Sequence, residues 1–194
     1  MTNNKNIEVE VRALLDNSRL IERNLLRLGA KFIKKTSVKD SWFCDSRIND
    51  YHKASIDRTG YALRIREISK GKKKTFSLEC KTLSDGFTHA LCNEYSSAVN
   101  DPLQIEKILE SIGLKKFLVL VKERRVYILH DLEFSFDRIP GVGQGLEVEA
   151  IVSKQEEKRK HREILKLASS LGVKQRNILK KSLTYLAMKK LSRF

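Results

Sequence analysis

The stretch "IEVEVRALL", Ile7–Leu15, alternates with a period of two: Ile7, Val9 and Val11 fall on one side of an extended chain, and Glu8, Glu10 and Arg12 on the other. It predicts a strand with one apolar and one charged face. Two readings of the charged face compete. It meets water, as the outer face of an antiparallel sheet ordinarily does, or it lines an interior that holds charge for a purpose. The other strand-like stretches decide between them.

Most of these stretches repeat the arrangement. "YALRIREIS" sets Arg64 and Arg66 against Leu63 and Ile65, and "TFSLECKTL" sets Ser77, Glu79 and Lys81 against Phe76, Leu78 and Cys80. "LCNEYSSAV" is a shorter strand bearing Glu94. "FLVLVKERRVYIL" carries Lys122 and Arg124, "LEFSFDRI" carries Glu133, Ser135 and Asp137, and "LEVEAIV" carries Glu147 and Glu149. Outward residues of a sandwich are usually mixed with Ser, Thr, Asn and Gln, whereas here pairs two residues apart sort by sign: Glu8 with Glu10 and Glu147 with Glu149, Arg64 with Arg66 and Lys122 with Arg124. Closed into a barrel with these faces inward, the strands enclose water, ions or a polar ligand, because unpaired buried charge is prohibitively costly. Carboxylates suit hard divalent cations, and Arg and Lys suit phosphate oxygens. Phosphoryl transfer requires both.

In order along the chain, "IEVEVR", "ALRIR", "LECK", "NEY", "VKERRVY", "FSFDRIPGVGQGLEVEA" and, more loosely, "LKKSLTYLAMKK" resemble the CYTH family of triphosphate tunnel metalloenzymes, which includes class IV adenylate cyclases, thiamine triphosphatases and inorganic triphosphatases. The resemblance covers nearly the whole chain. It implies an α+β fold, an antiparallel eight-stranded closed β-barrel with helices packed outside, and dependence on Mg²⁺ or Mn²⁺. Glu8, Glu10, Glu147 and Glu149 then look like the metal-binding carboxylates, with Asp137 as a fifth acid. Arg64, Arg66, Lys81, Lys122 and Arg124 look like the triphosphate clamp. Glu79 and Glu94 also face the lumen, and Glu94 is the better candidate for orienting a water or a metal. Lys180 or Lys181, placed on the last helix, is a candidate to close over the substrate.

The chain departs from the family's ExExK signature at Arg12, which stands in the lysine position. Arginine keeps the positive charge and binds phosphate, but its planar fork does not replace a compact ammonium or a lysine that loses its proton. Arg12 is therefore a phosphate contact whose part in catalysis differs from that of the signature lysine.

At 194 residues the chain suits one domain, residues 1–194. "DNSRLIERNLLRLGAKF" and "DPLQIEKILESIGLKK" read as helices, capped by Asp16, Asn17 or Ser18 and by Asp101, and ended by Gly29 and Gly113. "SVKDSWFCD" reads as a strand, "SRINDYHKASIDRTG" as a polar loop and "KGKKK" as a hairpin turn. Trp42, Phe43 and Tyr51 are core residues or a platform for a base. "PGVGQG" is a turn into a strand, not a phosphate-binding glycine loop, since no helix follows it.

Of the formal net charge of +15, a local +10 lies between Ser153 and Phe194, in two basic C-terminal helices. They present either a solvated face or a surface for a polyanion, nucleic acid included. Cys44, Cys80 and Cys92 set neither a disulfide framework nor a zinc spacing, and His52, His89, His130 and His161 form no metal-ligand pair. No stretch reaches the length of a membrane span; the expectation is a cytoplasmic protein, monomer or homodimer.

Three functions fit these features. The first is a metal-dependent hydrolase of inorganic triphosphate or of a nucleoside or other organic triphosphate. The second is a class IV adenylate cyclase, releasing pyrophosphate from ATP. The third is a non-catalytic binder of polyphosphate or RNA.

Overall fold

Alternation becomes strand wherever it was read, in a computed structural model that describes residues 6–83 and 92–191. The strands are β1 (Asn6–Leu14), β2 (Lys31–Asp45), β3 (Tyr61–Lys70), β4 (Lys73–Leu83), β5 (Cys92–Val99), β6 (Leu114–Leu129), β7 (Leu132–Ile139), β8 (Gly143–Ser153) and the two-residue β9 (Ile178–Leu179). The helices are α1 (Ser18–Arg27), α2 (Ile56–Thr59), α3 (Pro102–Ser111), α4 (Glu157–Ser170) and α5 (Leu183–Leu191). Among the described residues the strands form one sheet of nine, in the order β5-β4-β3-β2-β6-β7-β8-β1-β9. No pairing joins its end strands β5 and β9 there, so the sheet is not closed by hydrogen bonds.

The chain divides into two compact units. One combines residues up to Lys35 with Glu123–Ile139 and Gly143–Leu183, and the other combines Thr36–Lys122 with Pro140–Val142 and the residues from Thr184 onward. In the first unit β1, β8, β7 and the end of β6 from Glu123 to Leu129 pair antiparallel. Ile7, Val9, Val11 and Ala13 of β1, Val148 and Ala150 of β8, and Phe134 and Phe136 of β7 are buried. α4 packs on β1 and β8 and buries Ile164 and Ala168. Asn17 caps α1 by accepting the Leu20 N–H at 3.0 Å, and Glu22 of α1 receives Arg125 of β6 at 2.9 and 3.1 Å.

In the second unit β2, β3, β4 and β5 pair antiparallel. Phe43, Ile65 and Leu109 are buried together, with Leu63, Leu78, Ile105 and Leu114 packed around them, so α3 covers the apolar side of β2–β4. Asp101 caps α3 through the Gln104 N–H at 3.0 Å.

Several boundaries differ from the sequence reading. β8 already begins at Gly143, so "GQG" belongs to the strand and the turn is shorter. A Cβ at Gly145 would collide with the Leu183 side chain, which occupies the space a larger residue would need. Lys180 and Lys181 precede α5 rather than lying on it. The polar loop after β2 contains the single turn α2. The last three residues of the basic C-terminal stretch, 192–194, lie outside the described residues, as do His89 and the start of "LCNEYSSAV".

Candidate functional site

Strand register assembles the first unit's charged face. Glu10 of β1 stands opposite Glu149 of β8, and Glu149 stands opposite Glu133 of β7. Directly opposed residues share a face of the sheet, and like charges placed so are destabilising. Three carboxylates thus stand in a row across three strands. Glu8, two residues before Glu10, joins them: one carboxylate oxygen each from Glu8, Glu10 and Glu149 lies within 4.8 Å of the others. Burial, then the charges of Glu8, Glu133 and Glu147, push the Glu149 carboxyl up to about 7, against the opposing pull of Arg124. Glu10 Oε1 is buried and accepts no hydrogen bond among the described residues, although the Arg12 guanidinium lies against it. A closely spaced, oxygen-only and partly desolvated donor set suits a hard divalent cation.

The next row holds the cations. Arg12 stands opposite Glu147, with its Nε 4.0 Å from the carboxylate. Arg124 of β6 donates from Nε and Nη2 to Asp137 at 2.7 and 2.6 Å, and from Nη2 to Glu147 at 2.6 Å. Asp137 is 2% exposed. Asp137 and Glu147, expected with the metal carboxylates, therefore hold Arg124, whereas Glu8, Glu10 and Glu149 form the group of three.

The second unit builds its own charged face. Arg66 donates to both Asp40 oxygens, at 2.7 and 2.9 Å, and approaches Glu79 at 3.2 Å. Arg64 grips Glu79 at 2.8 and 2.6 Å and lies 3.7 Å from Asp40. Ser77 donates to the other Glu79 oxygen at 2.8 Å. Burial of Asp40 works to raise its pKa, but the hydrogen bond from Arg66 and the charges of Arg64, Arg66 and Lys122 outweigh it and hold the carboxyl below its usual range. Glu79 is lowered in the same way: burial opposes ionisation, and Arg64 and Arg66 overcome it. Lys122, expected in the clamp, is buried. Lys81 and Glu94 stand opposite each other on β4 and β5 and form an ion pair.

The sequence reading gave no site role to Asp40 or Glu133, and left Trp42 as a core residue or a platform for a base. Asp40 sits between Val38 and Trp42 on its side of the strand, without a second acid two residues away, so the sign-sorting pattern passed over it. Glu133 was visible on the polar side of its strand, but only register brings it to Glu149. Trp42 pairs with Arg64 in register, and the Arg64 guanidinium lies 5.0 Å from the centre of its ring. It is buried on the charged face, not in the cluster around Phe43. Tyr51 neighbours His52 and Tyr185, with the Tyr185 hydroxyl 2.9 Å from His52 Nδ1.

The family model described as the CYTH domain matches residues 6–183. A relative from Methanocaldococcus jannaschii, named "Putative adenylate cyclase MJ0240", is 29% identical over 181 residues, spanning 91% of this chain and 95% of the relative. The solved structure of PH1819 from Pyrococcus horikoshii superposes with a TM-score of 0.77 at 21% identity, covering 94% of this chain and 98% of that one. HpAC1 from Hippeastrum, described as a "Putative adenylyl cyclase" with a dominant triphosphatase activity, gives a TM-score of 0.63 at 17% identity, covering 96% of this chain and 97% of that one. At such identities the two structures speak for the fold. No helix among the described residues is long and apolar enough to cross a membrane.

Proposed function

This chain belongs to the CYTH domain family, and from that premise we propose that it is a divalent-metal-dependent triphosphatase acting on inorganic triphosphate or on a nucleoside or other organic triphosphate. With the proposal goes the closed barrel that the family resemblance implies. One observation carries the reading most directly: the row Glu10, Glu149 and Glu133, whose mutual repulsion a cation relieves.

In this reading Glu8, Glu10 and Glu149 hold Mg²⁺ or Mn²⁺, with Glu133 beside them. When bound, such a cation neutralises phosphate charge and helps to align the attacking oxygen. Asp137 and Glu147 fix the Arg124 fork, and Asp40 and Glu79 fix those of Arg64 and Arg66. Guanidiniums set in place beforehand meet phosphate oxygens at little further cost in side-chain entropy. Arg12, Lys81 and Lys122 add positive charge to bind the substrate and to stabilise charge as it builds on the leaving phosphate. Glu94 orients the water that attacks the terminal phosphorus in line with the departing oxygen.

A second reading, cyclisation of ATP, draws on the name of the Methanocaldococcus relative. Products separate the two. Purified protein is incubated with tripolyphosphate and, separately, with ATP, each with Mg²⁺ or Mn²⁺, and orthophosphate, pyrophosphate and cyclic AMP are resolved. Orthophosphate from tripolyphosphate is the expected result. Cyclic AMP with stoichiometric pyrophosphate establishes the cyclase instead. Binding without any product overturns both.

A further inference from the structure

Among the described residues, Trp42 carries a buried donor that meets no acceptor. The residue is 6% exposed, and its indole Nε1–H makes no hydrogen bond among the described residues. A buried N–H left unsatisfied loses its hydration with nothing in return, so one on a charged face calls for a partner. Strand register fixes which face this is. Trp42 stands directly opposite Arg64, which stands opposite Glu79, and Asp40 precedes Trp42 by two residues on the same strand. The indole therefore lies on the side of the guanidiniums and away from the apolar cluster of Phe43, Ile65 and Leu109.

The nearby groups do not satisfy it. Guanidiniums only donate. Of the carboxylates on that face, the two held by the neighbouring guanidiniums, Asp40 and Glu79, are already taken up by Arg64, Arg66 and Ser77. One face of the ring is covered by the Arg64 guanidinium at 5.0 Å, a cation–π contact. The ring is thereby held by its face, and its N–H edge is left to serve. A guanidinium on a ring face and an N–H at its edge form a pair of donors that suits an anionic oxygen and does not suit stacking of a base on the covered face.

We propose that Trp42 is a substrate-binding residue whose indole N–H donates to an oxygen of the bound polyphosphate beside Arg64. The inference rests on the triphosphate reading and adds a neutral donor to a clamp otherwise made of cations. Such a donor contributes a hydrogen bond to a charged acceptor without adding repulsion among the neighbouring guanidiniums.

Trp42 is the single tryptophan of the chain, so one indole cross-peak in a ¹⁵N–¹H correlation spectrum reports on it. The ¹⁵N-labelled full chain is titrated with imidotriphosphate, whose P–N–P bridges resist hydrolysis, in the presence of Mg²⁺, with calorimetry in parallel. A second protein carries at position 42 the benzothiophene isostere of tryptophan, which keeps the ring and the Arg64 contact but has no N–H. The expected result is binding by calorimetry, a downfield shift of the indole proton, and affinity about tenfold weaker in the isostere protein, as loss of a charge-assisted bond predicts. Equal affinity of the two proteins, whether or not the peak moves, overturns the inference and leaves the triphosphate reading standing. No binding to the natural chain overturns that reading and the inference together.

Discussion

Glu10 and Glu149 face each other across β1 and β8, with Glu133 next in line on β7. A sheet stabilised only by its own contacts does not place three carboxylates in a row, because each opposed pair of like charges costs stability. On the proposed reading, the arrangement trades stability of the metal-free protein for affinity toward a cation.

Glu149→Gln is therefore expected to raise the melting temperature of metal-free protein, by relief of about 0.5 to 1 kcal/mol of repulsion, and to remove most of the stabilisation that added Mg²⁺ brings. Thermal melts with EDTA and with Mg²⁺ read both effects. A variant that melts lower in EDTA and still responds fully to Mg²⁺ removes Glu149 from the site.

Asp40 governs the second charged face. Its pKa is lowered in the folded state, so the stability it contributes is present above the ordinary value of 3.8 and is lost as pH falls below it toward the folded-state value. Asp40→Asn leaves two guanidiniums without their shared buried carboxylate. It is expected to destabilise the protein at pH 7 by about 3 kcal/mol and to flatten the loss of stability below pH 4. Urea unfolding at pH 7 and between pH 4 and 2.5 tests this; an unchanged acid limb refutes it.

Arg12 lies against Glu10 and 4.0 Å from Glu147, in the position where the family signature has lysine. A lysine there offers a compact charge and a proton that can leave. Arg12→Lys is expected to raise kcat on tripolyphosphate several-fold, on the order of one pKa-matched proton transfer step, with KM changed by less than about threefold. Steady-state kinetics separate the two parameters. A fall in kcat shows that the arginine fork itself is adapted to the reaction.

Gly145 is held by a neighbour and not by its backbone conformation. Its missing Cβ leaves room for Leu183, 2% exposed at the start of α5. Gly145→Ala is expected to cost about 1 to 3 kcal/mol by overpacking. In the Gly145→Ala background, Leu183→Ala should cost less than it does in the natural chain. Additive effects in a double-mutant cycle exclude the contact.

Much of the candidate site was legible because alternation is a one-dimensional signal. A strand's period of two assigns Glu8, Glu10, Arg64, Arg66, Glu147 and Glu149 to charged faces with no knowledge of neighbours, and the caps at Asn17 and Asp101 depend only on residues three positions away. The short α2 and the start of β8 were less visible. A single helical turn lacks periodicity, and the glycines of "GQG" suggest a turn until Leu183 is seen against Gly145.

By itself, then, the sequence determined which charged residues share a strand face and that pairs such as Glu8 with Glu10 and Arg64 with Arg66 carry one sign. It did so because side-chain direction along a strand follows from local geometry. Only the tertiary structure decided who meets whom. Whether a carboxylate sits with other carboxylates, as Glu149 does with Glu8 and Glu10, or holds an arginine, as Asp137 and Asp40 do, depends on register between strands far apart in sequence. Register also carried Trp42 to the guanidinium side, away from the apolar cluster of its neighbour Phe43. Its residue type alone is equally at home on either face.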